Sequence, residues 1–305
     1  MTEPHVRYDE VDRLGIITLN RPEKLNALTN EMVQGVADSV AAATASPDVG
    51  AIVLRGSNRT LTAGYDLSFL HEYSESTAPT SWDQPYDGGG PRPRPGNWDP
   101  VRDYQFMNNN VRRFMSLWEC PKPVIAEVAG WAVGGATDLV MCADLLFMAD
   151  DAHIGYAPSR MFGTPTTMMW VHRLGLEHAK QFLLTGRAID SETALRIGLV
   201  SEVHPADELS AAAEAEARRL ATIPGNQMAL NKMLINQAYE NMGLRTTQML
   251  GTFFDGMTRH TEEALQWGED VAERGLKEVV ADRDRPWKDY GQRPELPLDH
   301  GGERP

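Results

Sequence analysis

Short apolar runs alternate with amphipathic stretches along the chain, and this order limits the fold more than any other feature. Residues 14–20, 51–54, 121–126 and 144–149 are rich in Val, Ile and Leu and read as buried strands. Between the first two, Thr29 is placed as the N-cap of a helix over 30–44. Met32, Val33, Val36, Ala37, Val40 and Ala41 recur there at the i, i+3, i+4 spacing of one buried helical face. Strand, helix and strand in sequence predict an α/β architecture.

Helical patterns also cover 104–118, 168–184, 191–197 and 206–222, with a further helical block over 228–273. The stretch 71–103 has no period. It holds six prolines (79, 85, 91, 93, 95 and 100), the run Gly88 to Gly90, and Trp82, Tyr86 and Trp98. A structureless loop of this length is either functional or disordered, so it reads as a substrate lid or a solvated insertion. From Pro286 the chain is proline-rich and polar and is expected to run extended. The reading is therefore a core over 1–205, a helical region over 206–290 and a tail over 291–305.

Composition narrows the partners. With 29 Lys and Arg against 43 Asp and Glu, the net charge is −14. Polyanions and anionic membranes repel such a chain, which excludes general nucleic-acid or membrane binding. Cys120 and Cys142 form neither a metal spacing nor a disulfide framework, consistent with reduced thiols in the cytoplasm. The first residues lack the apolar core of a signal peptide, and no run is long enough to span a membrane. There is no dinucleotide fingerprint, no G-x-S-x-G elbow and no zinc helix. The nearest P-loop, 130–137, has Ala136 where the phosphate-binding lysine belongs.

Two glycine-centred turns remain, 61–67 and 130–138. Either serves as a tight connection. Both also expose backbone N–H groups, because glycine lets a ligand approach the main chain. Two N–H groups converging on one oxygen make an oxyanion hole.

At these residues the sequence resembles the enoyl-CoA hydratase/isomerase (crotonase) superfamily. The matching stretches are 19–28 (LNRPEKLNAL), 62–67 (TAGYDL), 122–126 leading into Gly130–Gly135, 143–145, 184–186, 194–200 and 275–283. The resemblance covers about residues 5–290. It implies a spiral of repeated β-β-α units with a C-terminal helical trimerisation region, hence a homotrimer or a dimer of trimers. It implies an acyl-CoA substrate and no separate cofactor or metal, CoA being part of the substrate. The shared chemistry is stabilisation of a thioester enolate by two backbone N–H groups, which the match places on Ala63 and Gly135. It implies CoA binding along Arg21, Lys24, Leu25 and Ala27 and along Gly64, Asp66 and Leu67. Gly134 opens the second turn, and Tyr65 faces the acyl pocket. Lys24 and Arg21 are candidate phosphate neighbours or solvated charges. Phe253, Lys277 and Arg283 are loose candidates for the nucleotide end.

The chain departs from the family at both acids. Hydratases of this family use two glutamates. The first position corresponds to Asp138, one methylene shorter, which reads as base or water anchor, or as an acid complementing a helix N-terminus. The second falls near 156–160, where no acid stands. Tyr156, Ser159 and Arg160 are the polar substitutes, and Arg160 offers a planar fork for a carboxylate on the acyl group. The resemblance implies a hydratase-type lyase. Isomerase, decarboxylase or C–C hydrolase chemistry, or a CoA-binding role with little catalysis, are the alternatives.

Overall fold

The computed structural model describes residues 3–66 and 99–290. The parallel sheet starts with β2 (Leu14–Leu19) and β3 (Ala51–Gly56), joined by α1 (Asn30–Ala45). Thr29 caps α1 by accepting from the Met32 N–H at 3.2 Å, at the position read from the sequence. A strand not foreseen, β1 (Val6–Val11), pairs antiparallel with β2 at the sheet edge. Its Arg7, Asp9 and Glu10 are charged, which suits an edge strand that must resist pairing with another chain.

The helix α2 (Pro100–Glu119) leads into β4 (Val124–Val128), β5 (Trp131–Val133) and the short α3 (Gly135–Val140). Then come β6 (Leu145–Ala149), β7 (His153–Gly155), α4 (Met169–Thr185), β8 (Ile189–Asp190), α5 (Ser191–Arg196) and β9 (Glu202–His204). The large sheet has the order β1-β2-β3-β4-β6-β9, parallel from β2 onward. A small sheet, β5-β7-β8, lies beside it and is extended by parallel bridges between Thr62 and Ala132 and between Leu28 and Tyr65. Each turn of the chain thus sends one strand to the large sheet and a short piece to the second layer before the next connection. That is the expected spiral of β-β-α units.

The described residues after β9 are helical: α6 (Leu209–Leu220), α7 (Gly225–Asn241), α8 (Leu244–Thr258), α9 (Glu262–Arg274) and α10 (Leu276–Asp284). The block read over 228–273 is three helices. Gly243, at φ 89°, separates the first two, and Thr261 caps the third. Helix α6 buries Leu209, Ala213 and Ala217 in the same core as the sheet.

Two boundaries move. Residues 99–103 leave the proline-rich stretch and join α2, because Asp99 accepts from the Val101 and Arg102 N–H groups and Pro100 sits in the first turn. The rest of that stretch, and the tail 291–305, lie outside the described residues. Residues 286–290, expected to begin an extended tail, fold back instead, leaving Tyr290 only 8% exposed.

Candidate active site

The turn 21–28 lies against the turn 62–66 by a ladder of hydrogen bonds. Ala63 N–H donates to the Leu25 carbonyl at 3.0 Å, Leu28 N–H to that of Gly64 at 2.7 Å, and Asp66 N–H to that of Leu28 at 3.0 Å. Asn26 is fully buried and fixes the first turn. Its amide donates to the Ser57 and Thr60 carbonyls while its oxygen accepts from the Arg21 N–H. The structure therefore gathers Arg21, Lys24, Leu25, Ala27, Gly64 and Asp66 on one edge; Leu67 lies outside the described residues. Arg21 is ion-paired to Asp66 and also donates to the Ala27 carbonyl, so its charge is met within the protein. Lys24 and Leu25 are exposed.

This ladder corrects one assignment. The Ala63 N–H, expected to face an oxyanion, is already used by Leu25. The Gly64 N–H is taken by Thr62 Oγ1 at 3.2 Å. Among the described residues, no hydrogen bond leaves the N–H of Tyr65 or of Gly135. These two are neighbours: a Cβ on Gly64 would meet the Val133 carbonyl oxygen at 2.4 Å and the Gly135 nitrogen at 3.5 Å. Gly64, at φ +95°, is thus required both by its backbone angle and by this close approach. The Tyr65 ring packs on Gly135, where a Cβ would come within 2.5 Å of it.

Asp138 stands one turn into α3 and is 1% exposed. One carboxylate oxygen accepts from the Thr167 N–H at 2.8 Å and the Thr167 hydroxyl at 2.7 Å. Burial pushes its pKa up to about 6, against the pull of those donors and with a smaller push from Asp255. Sequence reading missed Thr167. Its carbonyl is held in turn by the Gln248 amide of α8 at 3.0 Å. Tyr65 and Tyr156 both face the charges of Asp138 and Asp255, and burial first and these charges next raise both phenols well above their ordinary pKa.

The turn after β7 is a 3-10 turn, Ala157–Arg160. Tyr156 is buried at 4% exposure and Ser159 is half-buried. Arg160 does not offer its fork to a substrate. Its NH1 bonds Asp284 at 2.9 Å and its NH2 bonds Asp289 at 2.6 Å, while Nε donates to the Thr185 carbonyl at 2.9 Å. It also lies 4.6 Å from the Trp287 ring. The C-terminal segment claims it, which the local sequence around 156–160 cannot reveal.

Other buried charges come from distant segments. Arg259, at the C-cap of α8, bonds Asp255 at 2.9 Å and Asp103 of α2 at 2.9 Å. The i, i+4 spacing of Asp255 and Arg259 is the sequence signal that was available. Phe253 stacks on Tyr104 at 4.3 Å, Arg283 bonds Asp284, and Lys277 is exposed. Among the described residues no cluster of three or more His, Cys, Asp or Glu side chains could hold a metal, and no helix is long and apolar enough to cross a membrane.

A spiral α/β core that brings two neighbouring backbone N–H groups close to one buried carboxylate has known relatives. The family model described as enoyl-CoA hydratase/isomerase matches residues 10–88 and 97–289. The chain belongs to that family. A solved structure of an enoyl-CoA hydratase from Mycobacterium smegmatis superposes with a TM-score of 0.83 at 36% identity, covering 95% of this chain and 96% of that one. An enoyl-CoA hydratase/isomerase from Xanthobacter autotrophicus Py2 gives 0.78 at 26% identity, covering 93% and 99%. The crotonyl-CoA hydratase of Syntrophomonas wolfei is 28% identical over 250 residues, 81% of this chain and 85% of that protein.

Proposed function

We propose that the protein is an enoyl-CoA hydratase-type lyase, with Gly135 and Tyr65 supplying the oxyanion N–H groups and Asp138 handling the proton. The observation that carries this reading is the pair of neighbouring backbone N–H groups, unbonded among the described residues, close to a buried carboxylate. The thioester oxygen accepts both N–H groups as enolate charge develops, which is where preorganised donors contribute most. Water adds to Cβ; its proton passes to Asp138 and from there to Cα. Asp138 is suited to both transfers because burial brings its pKa near neutrality. No second carboxylate is invoked. Tyr156 takes the position opposite, as a neutral polar wall.

CoA lies along the edge formed by Arg21, Lys24, Leu25, Ala27, Gly64 and Asp66. Lys24 is the exposed cation there, whereas Arg21 orders the turn through Asp66. The reading needs no metal and no cofactor beyond the CoA of the substrate. Cytoplasmic residence fits two buried free cysteines. A homotrimer fits the apolar residues left exposed on α7, Leu230, Met233, Leu234 and Ile235, between 57% and 73% accessible. Sedimentation should find three or six copies; a monomer at micromolar concentration would contradict this part. The activity test is loss of enoyl thioester absorbance with crotonyl-CoA. Turnover with a 3-hydroxyacyl product supports the reading, and tight acyl-CoA binding without turnover would replace it with the non-catalytic one.

A further inference from the structure

The segment after α10 reaches back to both halves of the candidate site. Tyr290 packs its ring against that of Trp131, with centroids 5.6 Å apart. It also lies over Gly155, where a Cβ would come within 1.8 Å of the Tyr290 hydroxyl oxygen. Trp131 opens β5 and Gly155 closes β7, two strands that pair in parallel just before the two turns. The Gly155 carbonyl accepts the Gly134 N–H at 3.0 Å, one residue before Gly135. Gly134 and Gly155 bring no side chain to packing, so the Tyr290 ring supplies the wall against β7. Asp289 grips the far end of the second turn. Its two carboxylate oxygens accept from NH1 and NH2 of Arg160 at 2.8 and 2.6 Å, a bidentate pair that fixes orientation as well as distance. The same carboxylate accepts from the Ala188 N–H at 3.3 Å. The turn that carries Tyr156 is thus held at both ends by one segment, by Tyr290 at Gly155 and by Asp289 at Arg160.

We propose, resting on the hydratase reading above, that Asp289 and Tyr290 are positioning residues for the reaction. They touch no substrate. They set the spacing between the Gly135 N–H and the Tyr156 turn, Tyr290 through Gly155 and Gly134, and Asp289 through Arg160. The two turns belong to different strands, and the hydrogen bond from Gly134 to Gly155 joins them where Tyr290 presses. Small displacements at that joint are transmitted to the donor and to the facing wall together, and catalysis is sensitive to such displacements.

Amide hydrogen exchange on the full-length protein tests the geometry without turnover. Tyr290→Ala should speed exchange by about tenfold in peptides spanning 130–138 and 153–162, while β2 and α1 keep the wild-type rate. Tyr290→Phe keeps the ring, and the hydroxyl makes no hydrogen bond among the described residues, so its exchange should match wild type. Gly155→Ala displaces the same contact from the strand side and should reproduce Tyr290→Ala if that variant proves unstable. In crotonyl-CoA hydration, Tyr290→Ala and Asp289→Asn should each lower kcat by about tenfold, with KM within about twofold of wild type. Asp289→Asn combined with Arg160→Met should be no slower than the slower single variant, because both break one contact. Unchanged exchange at 130–138, a uniform rise over the whole chain, a Tyr290→Phe as damaging as Tyr290→Ala, or additive losses in the double variant would each overturn the inference. The hydratase reading fails separately: the wild type leaves crotonyl-CoA unhydrated, and exchange still decides the positioning role.

Discussion

The turns 134–138 and 156–160 follow two neighbouring strands of the same small sheet, β5 and β7, and each enters a helical turn. One delivers the Asp138 carboxylate to the site within four residues of its glycine. The other turns its only charged side chain, Arg160, away to Asp284 and Asp289, more than a hundred residues further along the chain. The difference separates two ways of building a site. The first half is local: a glycine pair, a free N–H and an acid one helical turn on. The second half is set by the C-terminal segment, which takes the arginine and leaves Tyr156 facing the acids.

The sharpest way to break this contrast is to damage each turn and compare. Gly135→Pro removes the Gly135 N–H and, because a Cβ there comes within 2.5 Å of the Tyr65 ring, also displaces that ring, so kcat should fall by at least about 10²–10³. A loss under tenfold would mean that the N–H is not used. The next effect is one of stability. The raised pKa of Asp138 means that the folded state favours its protonated form, so stability falls as pH rises from about 4 to about 6 and then levels off. Above that window the cost is roughly 3 kcal/mol. Asp138→Asn should therefore raise Tm at pH 7.5, with the gain shrinking as pH approaches 4; an unchanged or lowered Tm at pH 7.5 contradicts the burial argument.

At the other turn, Arg160→Met should cost about 2 kcal/mol in urea denaturation, less than a fully orphaned buried pair because Arg283 still bonds Asp284. Its effect on kcat should be far smaller than that of Gly135→Pro. A comparable loss in kcat would show that the second turn is as catalytic as the first. The smallest effect expected is from Thr167→Val. It removes a 2.7 Å hydrogen bond to the Asp138 carboxylate, so the acid limb of kcat/KM should move to higher pH.

The same contrast explains what the sequence made legible. The α/β spiral was readable because strands and helices carry their periods locally, as at Thr29 and along α1. The junction that holds Gly134, Gly135 and Asp138 was readable as a strand–glycine–helix turn because that motif is contiguous. The first oxyanion donor was placed at Ala63 because the motif alone does not show which N–H the 21–28 turn consumes; the Leu25 carbonyl decides that. Arg160 and Thr167 were misread or missed because their partners, Asp284 and Asp289 for the one and Asp138 and Gln248 for the other, lie far along the chain, and no local pattern encodes such pairings; Asp255 was missed although its i, i+4 pairing with Arg259 is local.

The central claim is that a single buried carboxylate carries the proton. The direct measurement is the pH dependence of kcat/KM for crotonyl-CoA hydration, in wild type and in Asp138→Asn. The wild type should lose activity along one acid limb with a midpoint at about 6, and the variant should be slower by about 10²–10⁴ and lack that limb. Equal rates for the two proteins, or the same limb in both, would contradict the account.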